Sequence, residues 1–264
     1  MNVFLQELRS QRRSTLIWSL SLAAFGSLYL LLFGAIRNDI SAFEDVLKNF
    51  PPVAQAALGF VIGTLKTVSG FYAFAFTYIV LCGAIQAANL GVGAIGREIG
   101  GSTADFLLTK PRARWSILAQ KALAVLVLLV ATNVVLLAVT IPVAAAQGPD
   151  FDAGLFVLLS ATMFFVQVIF ASLGLLYGVA AKKVKSVVAV SLPGVFAFYI
   201  VGLLGAVVGE DAIRYFTPFK YFDIGYILKN AAYETGFCLV AVAVVVVAVG
   251  ASFAVFAKKD VQAL

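Results

Sequence analysis

The chain has 264 residues, of which 62% are hydrophobic and only 12% charged, with a formal net charge of +6. A soluble domain carries about 25% charged residues; here the charges cluster between long apolar runs, which excludes an ordinary soluble enzyme and makes the basic excess a matter of membrane asymmetry rather than nucleic-acid binding. The absence of histidine removes Ser-His-Asp chemistry and most zinc sites, and no G-x-x-x-x-G-K-S/T run supplies a nucleotide-binding P-loop.

Six apolar runs, at roughly 15–36, 69–95, 117–141, 153–181, 187–208 and 235–257, reach the length of about 20 residues that a membrane-crossing helix needs. Arg9, Arg12 and Arg13 precede the first. That run is too long for the apolar core of a signal peptide and has no clear small-x-small cleavage site, which predicts an uncleaved first span. Segment 37–68 mixes Asp39, Glu44, Asp45 and Lys48 with an apolar piece, 54–65, after Pro51-Pro52. The piece is too short to cross and is expected to lie at the outer interface as a short helix or to extend the second span. The runs are read as charge-free, Lys121 being counted with the basic residues at the mouth of the third. Without intramembrane carboxylates there is no visible proton or sodium relay, so the protein is either passive or powered by a partner.

Between the second and third runs lies a charged island, R-E-I-G-G-S-T-A-D-F-L-L-T-K-P-R-A-R-W-S-I-L-A-Q-K. Ser102 and Asp105 fit the S/T-x-x-D/E pattern of a helix start, and Lys110 before Pro111 is biased away from the helical region. A helix over 102–109 follows, about 10 Å long at 1.5 Å per residue. It presents Phe106 and Leu107 from a basic surround, as a surface that touches another protein would.

Within the runs, Gln86 and Asn89 are three apart on the second and share a face; Asn133 on the third and Gln167 on the fourth are further amides. Such side chains either bond across helices and hold a bundle together or line a pathway, and both readings stay open. Gly174 with Gly178, and Gly205 with Gly209, form small-xxx-small pairs suited to close helix contact, and Pro193 is expected to kink the fifth span. Segment 209–234 contains T-P-F-K-Y-F-D-I-G-Y, an aromatic density that suits either an interface belt or a half-inserted outer gate. Cys82 and Cys238 fall inside apolar runs and read as small hydrophobes, with no disulfide framework. There is no internal repeat, and one membrane domain covers 1–264.

Thirteen of the 19 Lys and Arg lie in the N-terminus, the island, the 182–185 turn and the C-terminus; the alternate segments hold the remaining six over longer loops. The excess of basic residues on inner loops predicts that both termini and the island are cytoplasmic.

The island resembles the cytoplasmic-loop signature of type-2 ATP-binding-cassette (ABC) exporter permeases, approximately Gly-Thr-x-Glu-x-Leu-Leu-Ser-x-Pro-x-Ser-Arg with an acid upstream. Thr103, Leu107, Leu108, Pro111 and Arg114 match it directly and Glu98 fits the upstream acid, while Asp105 stands for Glu, and Ser102, Thr109 and Ala113 for Gly, Ser and Ser. The basic entry to the first run, Pro218-Phe219-Lys220-Tyr221-Phe222, and the ending Phe256-Ala257-Lys258-Lys259-Asp260 are also similar to the family. The resemblance implies an all-α integral membrane protein of six transmembrane helices, with a short cytoplasmic coupling helix between spans two and three. It implies a plasma (inner) membrane protein that docks this helix on a separate ABC ATPase subunit, the holder of ATP and Mg, and binds no cofactor itself. Glu98, Ser102, Thr103, Asp105, Phe106, Leu107, Leu108, Pro111 and Arg114 would form the docking surface. A second permease copy, in a homodimer, completes the pathway among membrane lipid. The alternatives are a partner-independent channel or ion-coupled carrier, disfavoured by charge-free spans, and a membrane-embedded enzyme, disfavoured because no nucleophile and base pair up. Apolar walls with a few amides suit a lipid, a hydrophobic drug or an amphipathic peptide alike.

Overall fold

The computed structural model describes residues 3–51, 54–55, 63–100, 114–148, 151–208 and 211–258. Among them, six helices are long and apolar enough to cross a membrane: Val3–Ile36, Val68–Gly100, Arg114–Ala145, Ala153–Ala180, Val187–Val208 and Thr235–Lys258, spans one to six in chain order. No strand occurs among the described residues. The six apolar runs therefore all become helices, as long uninterrupted runs in hydrocarbon must, because only internal hydrogen bonding satisfies the backbone there.

Span one differs from the sequence reading in where it starts. Its 34 residues rise about 51 Å at 1.5 Å per residue, well beyond the roughly 30 Å hydrocarbon core. The basic entry is therefore continuous with the span. Gln11, Thr15, Ser19, Leu22, Gly26, Leu30 and Phe33 are buried along it, a stripe at three- and four-residue spacing that faces the bundle. Arg9, Arg12 and Arg13 lie off that stripe and are exposed.

A second correction concerns the spans' charge. Lys121 lies two turns inside span three, with its side chain 3% exposed, so the spans are not charge-free. Its ammonium is 2.9 Å from the Glu7 carboxylate on span one, and Gln11 donates to the other Glu7 oxygen at 3.3 Å. A Lys can sit at that depth because its charge is neutralised and hydrogen-bonded on the spot.

Spans one and three run parallel in a constant register. Glu7 meets Lys121, the Ser19 hydroxyl donates to that of Thr132 at 3.2 Å, and Gly26 abuts the Thr140 methyl, where an added Cβ would lie 3.2 Å away. At the far end of the pair, Arg37 donates to the Gln147 carbonyl at 3.2 Å. Spans two and four form the most intimate pair, and the reason is small residues. A Cβ on Gly174 would stand 2.9 Å from the Ala88 carbonyl oxygen, one on Gly178 2.7 Å from that of Val92, and one on Gly91 would overlap that of Ala171. The Gly174/Gly178 pair is thus spent inside the chain and is not free for contact with a second copy. Gly205 likewise faces the Ile213 side chain, at 2.7 Å from a built Cβ, while Gly209 is outside the described residues.

Span two is the centre. Of its most apolar stretch 78% is buried, against 17% for spans five and six, whose outer faces expose Leu192, Phe196, Ile200, Leu239, Val242 and Val246. Span five continues helically through Pro193, and span three through Pro142.

At the end of the bundle away from the N-terminus, helix Ile40–Lys48 buries Glu44, which accepts from the Gly63 N–H at 2.6 Å; most of the expected 54–65 helix is outside the described residues. Residues 211–234 fold into a cap of two short 3-10 turns and the helix Ile224–Asn230, which Asp223 caps by accepting from the Tyr226 N–H at 2.7 Å. The aromatics divide between the two expectations for this segment. Tyr215 and Phe216 are exposed, whereas Pro218, Tyr221 and Phe222 are buried. Phe219 packs on Phe170 and Tyr199, and Phe222 stacks on Phe165. Arg214 pairs with Glu234 at 2.8 Å and lies 4.0 Å above the Phe237 ring. Burial pushes the Tyr233 phenol up to about 12, keeping it a neutral donor to the Leu158 carbonyl at 2.6 Å.

Candidate functional site

Two groups of residues carry functional expectation, the island and the buried amides. Of the island, Ser102, Thr103, Asp105, Phe106, Leu107, Leu108 and Pro111 lie outside the described residues, and at Glu98 and Arg114 only the backbone is described, as the last turn of span two and the first residue of span three. What the structure does give is how the two roots of this loop are held. The end of span two buries Ile95 and rests Gly96 on Val184 from the 182–185 turn, with a built Cβ 3.0 Å from a Val184 methyl. The start of span three buries Ile117 and Leu118 and is clamped to span one by Lys121 and Glu7. Both roots are therefore fixed to the bundle by buried contacts, one to span one through an ion pair and the other to the turn between spans four and five through Val184.

The structure brings three of the four amides together. Asn133 donates to the Gln167 carbonyl oxygen at 2.6 Å, Gln167 donates to that of Gln86 at 3.1 Å, and Gln86 donates to the Thr132 hydroxyl at 2.9 Å. Ser19 joins through Thr132, and the Gln167 amide also reaches the Gly83 carbonyl at 3.4 Å. The chain of bonds links spans one, three, two and four, and every member is buried. Asn89 does not join it: it is half-buried, and its side-chain oxygen has no hydrogen-bond partner among the described residues. Sequence reading found the amides because an amide in hydrocarbon is conspicuous, but it passed over Ser19 and Thr132. Each also lies within reach of a carbonyl of its own helix: the single Ser19 proton is shared between Thr132 and the Thr15 carbonyl at 2.7 Å, and Thr132 donates to the Leu128 carbonyl at 3.1 Å. The neighbouring Asn133 was the available signal for Thr132, and nothing local marks Ser19.

Interhelical hydrogen bonds in membranes contribute modestly, about 0.6 kcal/mol on average and up to about 1.7. Gln167→Leu removes three of them at once, to Asn133, Gln86 and the Gly83 carbonyl, and leaves the Asn133 donor without its interhelical partner. It is expected to destabilise the protein by about 1–2 kcal/mol, measured as the thermal unfolding of purified protein in detergent. Unchanged stability with lost transport would instead assign the network to the pathway.

Among the described residues, no group of three or more His, Cys, Asp or Glu is placed to hold a metal ion. A family model described as "ABC-2 family transporter protein" matches residues 1–261. No curated protein matches the chain.

Proposed function

Because the chain belongs to the ABC-2 transporter family, over nearly its whole length, we propose that it is the membrane-spanning permease subunit of an ATP-driven exporter, coupled to a separate ATPase subunit through the 102–109 segment. The observation that supports coupling is the anchoring of that segment's two roots, at Val184 and at the Glu7–Lys121 pair. A docked segment transmits force only if what it is rooted in does not yield. Phe106 and Leu107 are the apolar anchors for a groove on the ATPase; Glu98, Asp105 and Arg114 fix the register; Ser102, Thr103, Leu108 and Pro111 shape the helix. ATP and Mg are held by the ATPase, and this chain has no catalytic part in hydrolysis.

Two copies form the translocation unit, with the buried amides Gln86, Asn133 and Gln167 holding each copy's four inner helices in register and Asn89, half-buried with an unpaired oxygen, facing the pathway. Truncating a buried aromatic anchor costs about 2 kcal/mol or more, roughly thirtyfold in affinity. Phe106→Ala is therefore expected to lose the ATPase on co-purification, or to uncouple hydrolysis from transport, with normal insertion; the exposed outer residue Phe216 is the control. The mass of the wild-type complex should correspond to two permeases and two ATPases. A Phe106→Ala protein that equals wild type in both assays refutes the coupling assignment, and one permease per active particle refutes the dimer.

The protein resides in the plasma (inner) membrane with both termini cytoplasmic, a reading supported by the basic residues of the N-terminus, island, 182–185 turn and C-terminus. Cysteines introduced at Lys183 and Asp150, in a background lacking Cys82 and Cys238, should react from opposite sides of the membrane. Reaction from one side overturns the orientation.

A further inference from the structure

A cleft of about 390 Å³ lies between spans three, four and six and is also lined by Gly91 of span two; none of the buried amides lines it. Span three contributes Ala119, Ala122, Leu126 and Leu129, span four Ala171 and Leu175, and span six Val245, Val249 and Phe253. Four of its lining residues, Gly91, Ala119, Ala122 and Ala171, bring little side-chain volume, which leaves the space open. Its one polar side chain, Ser172, is already spent, donating to the Ile169 carbonyl at 2.7 Å. On the outer lip Leu123 and Leu126 are exposed, so the cleft opens sideways to hydrocarbon and not to water.

Depth identifies the occupant. Trp115, 67% exposed, stands at the start of span three, on the same helical face as Ala119, Ala122 and Leu126 by the spacing of four, seven and eleven residues. An exposed Trp at a helix end marks the headgroup level. From Ala119 to Leu129 the wall rises about 15 Å at 1.5 Å per residue, half of the roughly 30 Å hydrocarbon core. The cleft thus begins just under the headgroups and ends at the bilayer midplane. We propose that it holds one acyl chain of a phospholipid from the leaflet on the Trp115 side, bound as a resident ligand. A carbon-lined volume of this size is at the lower end of the range, about 300–1,000 Å³, that buries small ligands, and an unfilled one would forfeit dispersion contacts along its whole wall. The inference rests on the membrane-spanning fold and not on ATPase coupling.

The test uses the purified full complex in phosphatidylethanolamine/phosphatidylglycerol vesicles carrying a phospholipid with a photoactivatable diazirine in mid-chain. Cross-links are expected within 119–129, 168–175 and 245–253, severalfold above those on the outer face of span six at Leu239, Val242 and Val246. Ala122→Phe, which fills the cleft from span three, and separately Val249→Trp, which fills it from span six, should each abolish the excess while labelling of that outer face is unchanged. Labelling of the cleft no greater than that of the outer face, or an excess insensitive to both substitutions, overturns the proposal. So does an excess that disappears during ATP turnover, which would identify cargo in transit, or disulfide cross-linking of Leu123→Cys between two permease copies, which would show that protein covers the cleft.

Discussion

Lys121→Met alone is expected to destabilise the protein by about 3–5 kcal/mol, because it strands the Glu7 carboxylate, 13% exposed, beside an apolar side chain. The Gln11 amide remains as a partner at 3.3 Å and the Arg97 guanidinium of span two still acts on Glu7 through space, which places the loss at the lower end of that range. Adding Glu7→Gln removes the stranded charge as well, so the double variant should recover most of the loss, since replacing both members of a buried pair is often close to neutral. Thermal unfolding of the purified permease in detergent, run on the single and double variants, reads this directly. A double variant as unstable as the single would show that the lysine acts by filling space and not by pairing. Because the pair also holds the start of span three, next to the proposed coupling segment, the stable double variant separates two roles: if it folds and binds the ATPase but couples poorly, the ion pair is the strut through which span one is moved.

Gly91→Ala is expected to cost about 2–3 kcal/mol, in spite of the roughly 1 kcal/mol by which alanine is the better helix former. The added methyl would overlap the Ala171 carbonyl oxygen, a backbone atom that cannot turn aside, so spans two and four must separate along the whole line that includes Gly174 and Gly178. Gly250→Ala in span six, where a built Cβ meets nothing within 4 Å, is the matched control and should be neutral or slightly stabilising. Equal melting temperatures for the two variants would rule out close helix contact as the role of Gly91.

The helices were legible because hydrocarbon enforces a one-dimensional rule: an apolar run of sufficient length must be a helix. Their ends were less so. Arg9, Arg12 and Arg13 read as a basic entry ahead of the span, yet they occupy the outward face of the span's own helix, whose inward stripe includes polar Gln11 and Thr15. Lys121 looks like a boundary because a lone charge in an apolar run ordinarily is one; the residue that makes it a member of the span, Glu7, is 114 positions away. Likewise Gln86, Asn133 and Gln167 announced themselves as amides, but which of the four would meet depended on the rotation of three helices about their axes, and Asn89 was turned aside by it. The glycine pair Gly174/Gly178 was visible as a contact surface, while its partner, the Ala88–Val92 stretch of span two, was not. The island was the reverse case: its signature was readable residue by residue, and what the structure adds is only how its two ends are rooted.

The parallel pairing of span one with span three, and of span two with span four, has a consequence for how the chain is made. No span finds its principal partner in the one that follows it. At about 5–20 residues per second, the 114 residues between Glu7 and Lys121 take roughly 6–23 seconds to synthesise. Throughout that interval the first helix stands in or beside the bilayer without its ion-pair partner, while the second enters, turns and leaves its glycine-lined face open for a fourth helix not yet made. The bundle therefore assembles by waiting, and the ribosome sets the length of the wait.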